Sequence, residues 1–542
     1  MLIQNNLSNK YIIEQFVEDL ESYDGGIKRF SITNAMLPPS PFFSTSIMPV
    51  LEANITTITS LELVSCDLKS TDVEFISRYI KKNKSLSILN LSRNELFGND
   101  ENTAAKHLAK SMKKHQELSF VDLSKTGLGM NNDGIKIILE GSKGINSLVV
   151  NDNAFDKEGL ALVTNFLWRK NEVSEFSMAG AGIGEEKEGK TKARILRDAL
   201  EKNTTLEQIC LGSNHLGFDD RVLSIVVSGI KGSSSLIHVD LSGNKIRRMP
   251  SMKLVAKFLS KNTSLLDLNM SFNGLPVKCA TILMEALKKN TTLQRLSLMG
   301  NNVGDTHVPP IVDMLKNNTT LRSLDLSDNN LRVKTGRRDL LKALCDTTSL
   351  DSIANNSNHT CSVIIAGRNY GGTYEEELTN INKLENEGEK IRYKVVLALC
   401  VLNKDLYDPR FFDDVPLELM HKLLELVQQE IGCKGYGKGI VKSVKKRSKI
   451  NRLSNLYEAI HQWPAFPSLF SRGPGKKKRK SKRKPKVADE EEDFVPSGFP
   501  KAKKRPRWMP SPEPVKPSRS SSRTTNIISI SYADVENSDD ES

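Results

Sequence analysis

The amino-acid sequence predicts an α/β solenoid, in which short parallel strands and helices alternate along one stacked array. Three observations predict this fold class. The pattern L-x-x-L-x-L recurs along the chain, its copies start 27 to 33 residues apart, and an apolar helical stripe separates one copy from the next. A single copy supplies only one short strand, so the copies are stable only when they stack on one another.

Twelve copies of the pattern lie between residues 27 and about 361. In the clearest copy, Leu321, Leu324 and Leu326 are followed by Asn329, whose amide is suited to bond backbone groups where the chain leaves the strand. The first and last copies are degenerate, as expected for repeats with one face in water. The copies start at Ile27, Ile58, Leu86, Leu118, Ile145, Val173, Leu206, Leu236, Leu265, Leu293, Leu321 and Leu350.

Helical periodicity fills the segments between the strands. Leu254, Phe258 and Leu259, for example, fall on one side of a helix. Several of these helices end in Lys-Asn, where lysine complements the helix dipole and asparagine is expected to adopt the left-handed conformation that ends a helix. The asparagines expected in this role are Asn203, Asn262, Asn290 and Asn317.

These repeats resemble the ribonuclease-inhibitor-type leucine-rich repeats, which Ran GTPase-activating proteins and NOD-like receptors also use. The resemblance covers residues 27 to about 361 and implies a horseshoe with a parallel concave sheet and convex helices. The junction Ser357–Cys361, together with the later segment Asp414–Met420, also resembles uncharacterised protist leucine-rich repeat proteins that carry a shared C-terminal extension.

The segments around the repeats divide the chain further. Residues 1–26 are predicted to be an N-terminal helical lead-in and residues 27–361 the leucine-rich-repeat solenoid of about 12 repeats. A helical C-terminal cap is predicted over 362–432, with helices at 388–402 and 416–431, although a separate module remains an alternative. Residues 433–472 are predicted to be a basic linker with a short amphipathic helix, and residues 473–542 are predicted to be a disordered basic tail.

The positive charge belongs to the C-terminal part of the chain. The net charge is +13, yet residues 434–542 contain 26 Lys and Arg against 12 Asp and Glu, which leaves 52 basic and 53 acidic residues in the remainder. The tail therefore differs from the repeats in net charge, and it is the part suited to bind an import receptor or nucleic acid.

The residues that flank the second leucine of each copy are predicted to face outward on the concave sheet. In these two columns six acids stand against two arginines, which favours a protein partner with basic groups. A solvated polar face is the alternative for any single residue. The predicted partner-binding residues lie on neighbouring strands and are His238, Asp240, Asp267, Asn269, Arg295 and Asp325.

No motif predicts catalysis, a cofactor or a metal site. Gly432-x-x-x-x-Gly437-Lys438 has the spacing of a phosphate-binding loop, but Gly439 replaces the Ser or Thr that binds magnesium. The seven cysteines are scattered and contain no C-x-x-C pair. We therefore predict a non-enzymatic protein-interaction scaffold. A GTPase-activating regulator is the alternative implied by the Ran-type resemblance, although the basic tail departs from the acidic end typical of that family.

Two basic clusters in the tail have the composition of nuclear import signals. They predict recognition by an import receptor, with nonspecific nucleic-acid binding as the alternative. Because the chain begins without a secretory signal and contains no membrane-spanning apolar run, we expect an intracellular monomer in the nucleus or in both nucleus and cytoplasm. The predicted import residues are Lys476, Lys477, Lys478, Arg479, Lys480, Lys482, Arg483, Lys484, Lys503, Lys504 and Arg505.

Overall fold

A computed structural model describes residues 2–4, 26–37, 41–97, 102–142, 144–169, 173–185, 187–332, 335–348, 350–365, 374–388, 390–391 and 394. Within these residues 13 parallel strands form one sheet in chain order, which confirms the predicted α/β solenoid. The strands are β1 Leu2–Gln4, β2 Arg29–Thr33, β3 Ser60–Val64, β4 Ile88–Asn90, β5 Phe120–Asp122, β6 Ser147–Val149, β7 Glu175–Ser177, β8 Gln208–Cys210, β9 His238–Asp240, β10 Asp267–Asn269, β11 Arg295–Ser297, β12 Ser323–Asp325 and β13 Ser362–Ile364.

Helices connect the strands and pack against the helices of neighbouring repeats. In the described part of the chain, none is long and apolar enough to cross a bilayer. The helices are α1 Met48–Ala53, α2 Asp72–Lys82, α3 Thr103–Met112, α4 Asn132–Gly141, α5 Lys157–Arg169, α6 Gly189–Lys202, α7 Asp220–Gly232, α8 Met249–Leu259, α9 Val277–Leu287, α10 Val308–Asn317, α11 Gly336–Leu344, α12 Leu350–Asn355 and α13 Tyr374–Asn382, with shorter helical turns at Phe43–Ile47, Leu128–Met130 and Asp305–His307.

The leucines of the repeat pattern form the core between the sheet and the helices. Leu321, Leu324 and Leu326 are fully buried, as the pattern predicts. Burying one such side chain contributes about 2–3 kcal/mol of hydrophobic free energy. Because every repeat supplies apolar residues at the equivalent positions, one continuous apolar cluster runs through the stacked repeats.

The asparagine that follows seven of the strands links neighbouring repeats. The Oδ1 atom of Asn244 accepts hydrogen bonds from the backbone N–H groups of Asn214 (2.9 Å) and Leu216 (3.2 Å), and its Nδ2 atom donates to the carbonyl of Leu211 (2.8 Å). The predicted turn role of these residues is thus confirmed, and it extends to the preceding repeat. We call the set of equivalent residues the asparagine ladder; its members are Asn94, Asn153, Asn214, Asn244, Asn273, Asn301 and Asn329.

The asparagines at the helix ends act differently from the prediction. Asn203 is extended, with φ −79° and ψ 135°, so the predicted left-handed conformation is wrong there. Its Oδ1 atom instead accepts from the N–H groups of Thr205 (2.9 Å) and Leu206 (2.6 Å), while Nδ2 donates to the carbonyl of Leu167 in the preceding repeat (2.7 Å). At the end of α10 the bridging residue is Asn318 rather than Asn317.

The last predicted repeat is shifted along the chain. Leu350–Asn355 is helix α12, so the strand predicted there is wrong, and β13 lies at Ser362–Ile364 instead. Cys361, Val363 and Ile365 supply the buried alternation that the polar sequence around Ile353 does not. The sheet therefore continues beyond the predicted solenoid boundary at residue 361.

Helix α13 covers the end of the sheet. The hydroxyl of Ser362 donates to the carbonyl of Thr379 (2.9 Å), and Nδ2 of Asn382 donates to the carbonyl of Cys361 (2.6 Å). The second bond occupies a backbone carbonyl at the start of the strand that a further strand would otherwise take. The helical cap over 362–432 as a whole stays a prediction. The described residues between 387 and 394 are helical, in agreement with the helix predicted over 388–402, and the helix predicted over 416–431 lies outside the described residues.

A buried lysine that follows α13 donates hydrogen bonds to backbone carbonyls near the end of the solenoid. The Nζ atom of Lys394 donates to the carbonyls of Leu344 (2.6 Å) and Asn358 (2.7 Å) and lies 3.1 Å from Nδ1 of His359. Burial lowers the pKa of Lys394 to about 7. The carbonyl of Ala354 can only accept, so Nε2 of His359 donates to it (3.0 Å), and Nδ1 of His359 accepts from the charged form of Lys394.

The N-terminal segment begins with a strand rather than a helix. Residues Leu2–Gln4 form β1 and pair in parallel with β2, where a helical lead-in is predicted. The rest of that lead-in, residues 5–25, lies outside the described residues, as do the predicted linker at 433–472 and the basic tail at 473–542.

Candidate protein-binding face

Strand pairing aligns the two predicted outward columns. In β9, His238 and Asp240 are partly exposed on either side of Val239, which is buried. The register places Asp267 of β10 directly opposite His238 and places Asn269 opposite Asp240. We call the outward side of β2 to β12 the strand face. Five of the six predicted binding residues meet on its neighbouring strands β9, β10 and β11.

An arginine, an aspartate and a histidine form a cluster across three strands. Nε of Arg295 donates to Oδ2 of Asp267 (2.7 Å), and Nη2 of Arg295 lies 3.3 Å from Nδ1 of His238. Since a guanidinium can only donate, this Nδ1 is the acceptor and the imidazole carries its proton on Nε2. Nδ1 of His238 also lies 3.5 Å from Oδ2 of Asp267.

A second network lies beside this cluster. Nδ2 of Asn269 donates to Oδ2 of Asp240 (2.9 Å), and the hydroxyl of Ser271 donates to Oδ1 of Asn269 (2.6 Å). The hydroxyls of Ser271 and Ser297 are 2.8 Å apart. These bonds fix the polar side chains in one arrangement before any partner arrives, which lowers the ordering cost of binding.

Three of the predicted residues also hold the turn that follows their strand. Oδ1 of Asp240 accepts from the N–H of Ser242 (2.7 Å), and Oδ1 of Asp325 accepts from the N–H of Ser327 (2.9 Å). Asn269 makes the same bond with Ser271. Such side-chain bonds to the backbone two residues on stabilise a turn. Asp325 therefore has a structural role in its turn. Its carboxylate accepts hydrogen bonds from Ser327 in that turn and does not belong to the Arg295 cluster.

An open depression of about 370 Å³ adjoins the cluster on the strand face. It is lined by apolar residues, such as Phe120 and Val149, and by polar residues, such as Glu175 and Gln208. Nε2 of Gln208 donates to Oε1 of Glu175 (3.0 Å). The candidate set omitted these four residues. Their positions are within the outward columns, but only the paired register shows that they surround one depression.

The groups that line the depression do not form an activated nucleophile. Burial, with a further contribution from the Asp240 carboxylate, raises the pKa of the Cys210 thiol, which keeps the sulfur protonated near neutral pH. In the described part of the chain, no group of three or more His, Cys, Asp or Glu residues could hold a metal ion. The arrangement is suited to hydrogen bonding and charge pairing with a bound surface.

A family model described as "Leucine Rich repeat" matches residues 289–306 and 317–334. These segments contain β11 and β12 and the positions of Arg295 and Asp325. No curated protein sequence matches this chain. The matched segments cover two consecutive repeats of the sheet, so the repeat pattern read from the sequence and the family model agree there.

Several solved structures are similar to part of this chain. The leucine-rich repeat-containing protein LegL7 from Legionella pneumophila is 16% identical, with 62% of this chain and 90% of that one covered and a TM-score of 0.40. A chain of the Rad7–Elc1 complex from yeast is 14% identical, with coverages of 60% and 86% and a TM-score of 0.36. The tropomodulin C-terminal domain from Caenorhabditis elegans is 17% identical, with coverages of 29% and 92% and a TM-score of 0.24.

Proposed function

We propose that this leucine-rich repeat protein is a non-enzymatic interaction scaffold whose strand face binds a partner protein between β5 and β12. The observation that supports the proposal most strongly is the hydrogen-bonded cluster of Arg295, Asp267 and His238 beside the open depression. A rigid array with fixed polar groups binds a surface without first paying to order its own side chains. The ribonuclease-inhibitor subtype of the repeats stays a prediction.

The charges and apolar groups of the strand face define the partner further. Between β7 and β12 the face carries four carboxylates, those of Glu175, Asp240, Asp267 and Asp325, and one guanidinium, that of Arg295. The apolar side of the depression, at Phe120, lies at the opposite end of the same site. The complementary partner is a segment whose basic residues flank an aliphatic or aromatic side chain.

The structure indicates which substitutions test this proposal cleanly. Reversing Asp240 or Asp325 would also break a turn, because each accepts a backbone hydrogen bond. The carboxylates of Asp267 and Glu175 bond side chains of neighbouring strands instead. Asp267→Lys combined with Glu175→Lys therefore changes the charge of the face while leaving the Asx-type turns intact.

We expect this double variant to lose the specific partner in affinity purification from the native cell. Its control is Glu140→Lys, which makes the same kind of charge change at an exposed position on α4. The control should recover the same proteins as the wild type. Identical protein lists from wild type and double variant, with unchanged thermal unfolding, would exclude the strand face as the binding site.

We also propose that the tail directs the protein to the nucleus. The support is the density of basic residues in Lys476–Lys486 and Lys501–Arg507, a composition that import receptors recognise. A large fluorescent fusion of residues 473–542 should accumulate in nuclei, and serine replacement of the basic residues in both clusters should make it cytoplasmic. Serine replacement of Lys516, Arg519 and Arg523 is the control. Nuclear accumulation that survives loss of both clusters would contradict the proposal.

A further inference from the structure

A second surface with different chemistry lies on the loops that follow β8, β9 and β10. Its members are two exposed aromatic side chains with a histidine and three basic residues. We call this surface the loop patch, and it comprises His215, Phe218, Lys245, Arg247, Arg248 and Phe272. Phe218 is 51% exposed and Phe272 is 56% exposed, which is unusual for phenylalanine in a folded protein.

The backbone of Phe272 is in a conformation that bulky side chains avoid. Its φ is +55°, in the left-handed region. Phe272 immediately precedes the ladder residue Asn273, and the corresponding position in other repeats is small or hydrophilic, as in Ser213, Gly243 and Gly300. The ring of Phe272 lies against Gly300, where an added Cβ atom would clash with the ring. The fold thus holds an exposed aromatic ring in a disfavoured conformation, a situation typical of functional positions.

Phe218 is held in place by its neighbours. Its ring stacks on His215 with the ring centres 5.3 Å apart, and Nζ of Lys245 lies 4.6 Å from its ring centre. Nη1 of Arg248 donates to the carbonyl of Phe218 (3.1 Å). The aromatic ring is therefore presented at a fixed position with two cationic groups around it. Rigid aromatic and arginine side chains of this kind are common anchors of protein interfaces.

The free charges of the loop patch are positive. Arg247 passes over Gly274 toward the loop of Phe272 and, like Lys245, has no ion-pair partner among the described residues. Two neighbouring acids already pair with other cations: Asp220 lies 3.4 Å from Nη2 of Arg248, and Asp219 lies 3.6 Å from Nζ of Lys190. A depression of about 430 Å³ beside Phe218 has a mixed lining of three acids and three bases, so the unpaired positive charges of the patch are those of Lys245 and Arg247.

We infer that the loop patch binds an acidic segment of a partner protein, with aromatic or aliphatic residues of that segment against the exposed rings of Phe218 and Phe272. Charge complementarity supports acidic groups opposite Lys245 and Arg247. A continuous phosphate chain fits less well, because it needs cations along its whole length, whereas the ring of Phe218 and the acids Asp219 and Asp220 interrupt the basic residues here. The patch is thus a second docking surface whose charge is opposite to that of the strand face.

Selection from a random peptide library against the wild-type protein tests this inference. We expect one class of selected peptides to be rich in Asp and Glu around an aromatic or aliphatic residue. The affinity of this class should fall at least about tenfold for Arg247→Glu and for Phe272→Ser. Phe272→Ser introduces the residue found at the equivalent Ser213, so the fold should persist, and thermal unfolding checks this.

Two controls separate this surface from the strand face. Lys257→Glu makes the same charge change as Arg247→Glu on the exposed side of α8 and should leave the acidic class unaffected. Asp267→Lys should weaken only basic peptides, which belong to the strand face, so each proposal can fail alone. The inference is overturned if no acidic class is selected or if that class binds both loop-patch variants normally. It is also overturned if single-stranded oligo(dT) binds more tightly than the acidic peptides and is lost in the same variants.

Discussion

Asn273→Ala is expected to lower the free energy of unfolding by about 3 kcal/mol, because it leaves several buried backbone groups without partners. Oδ1 of Asn273 accepts from the N–H of Ile246 (2.9 Å), and Nδ2 donates to the carbonyls of Leu241 and Met270 (both 3.0 Å). The side chain is 2% exposed, so water cannot replace these bonds. Chemical denaturation of the purified protein measures the change.

The matched control for this prediction is Asn165→Ala. Asn165 is exposed on α5, where alanine is a better helix former, so the free energy of unfolding should change by less than about 0.5 kcal/mol. Because stability in a repeat array depends on the interfaces between neighbours, the Asn273 variant should also broaden the unfolding transition. A change as small as that of the control would mean that the asparagine ladder does not stabilise the stacking.

Lys394→Met is expected to remove a rise in stability that the wild-type protein shows between neutral and alkaline pH. Burial lowers the pKa of Lys394 to about 7 in the folded protein, whereas an unfolded lysine titrates near 10.4. Between these values the unfolded chain binds more protons than the folded one, so stability increases with pH. The increase attributable to this group is roughly 2 kcal/mol between about pH 7.5 and 9.5.

Denaturation curves of wild type and variant at several pH values test this prediction. Lys257→Met, on an exposed part of α8, provides the control and should follow the wild type. The three acceptors around Lys394, at 2.6 to 3.1 Å, favour the charged form and oppose burial. If the free energy of unfolding depends on pH in the same way for wild type and Lys394→Met, the prediction is wrong. The three acceptors would then outweigh burial and keep the ammonium of Lys394 charged.

The period of the repeat pattern predicted most of the fold. Leucines such as Leu324 and Leu326 recur at a spacing that only a strand followed by a helix can bury, so the solenoid follows from hydrophobic burial alone. The end of the array does not follow in this way. At Leu350 the spacing of the pattern is present without its apolar residues, and burial favours the alternation of Val363 and Ile365 instead.

The sequence predicts which residues point outward on the strand face, but it does not predict which of their side chains contact one another. Alternation along a strand places His238 and Asp240 outward, and the pairing of strands makes them neighbours of Asp267. The bond between Arg295 and Asp267 requires the register, and the turn role of Asp325 requires the path of the backbone. Sequence periodicity contains neither of these.

The loop patch had no signal in the sequence that distinguishes it from ordinary loop residues. The repeat pattern places Phe272 in a turn, but it does not indicate a left-handed backbone or an exposed ring. Lys245 and Arg248 are far from Phe218 along the chain and meet it only because the repeats stack. Long-range contacts between loops of successive repeats are therefore the part of this molecule that sequence patterns predict least.

The most direct test of the strand face is the dissociation constant of the purified partner recovered by the wild-type protein. Asp267→Lys places a cation beside Arg295 and should weaken binding about 30-fold to 100-fold, as expected when a central charge pair of an interface is reversed. Glu140→Lys should bind as the wild type does. An unchanged dissociation constant for a correctly folded Asp267→Lys variant would contradict the proposal that the strand face is the binding site.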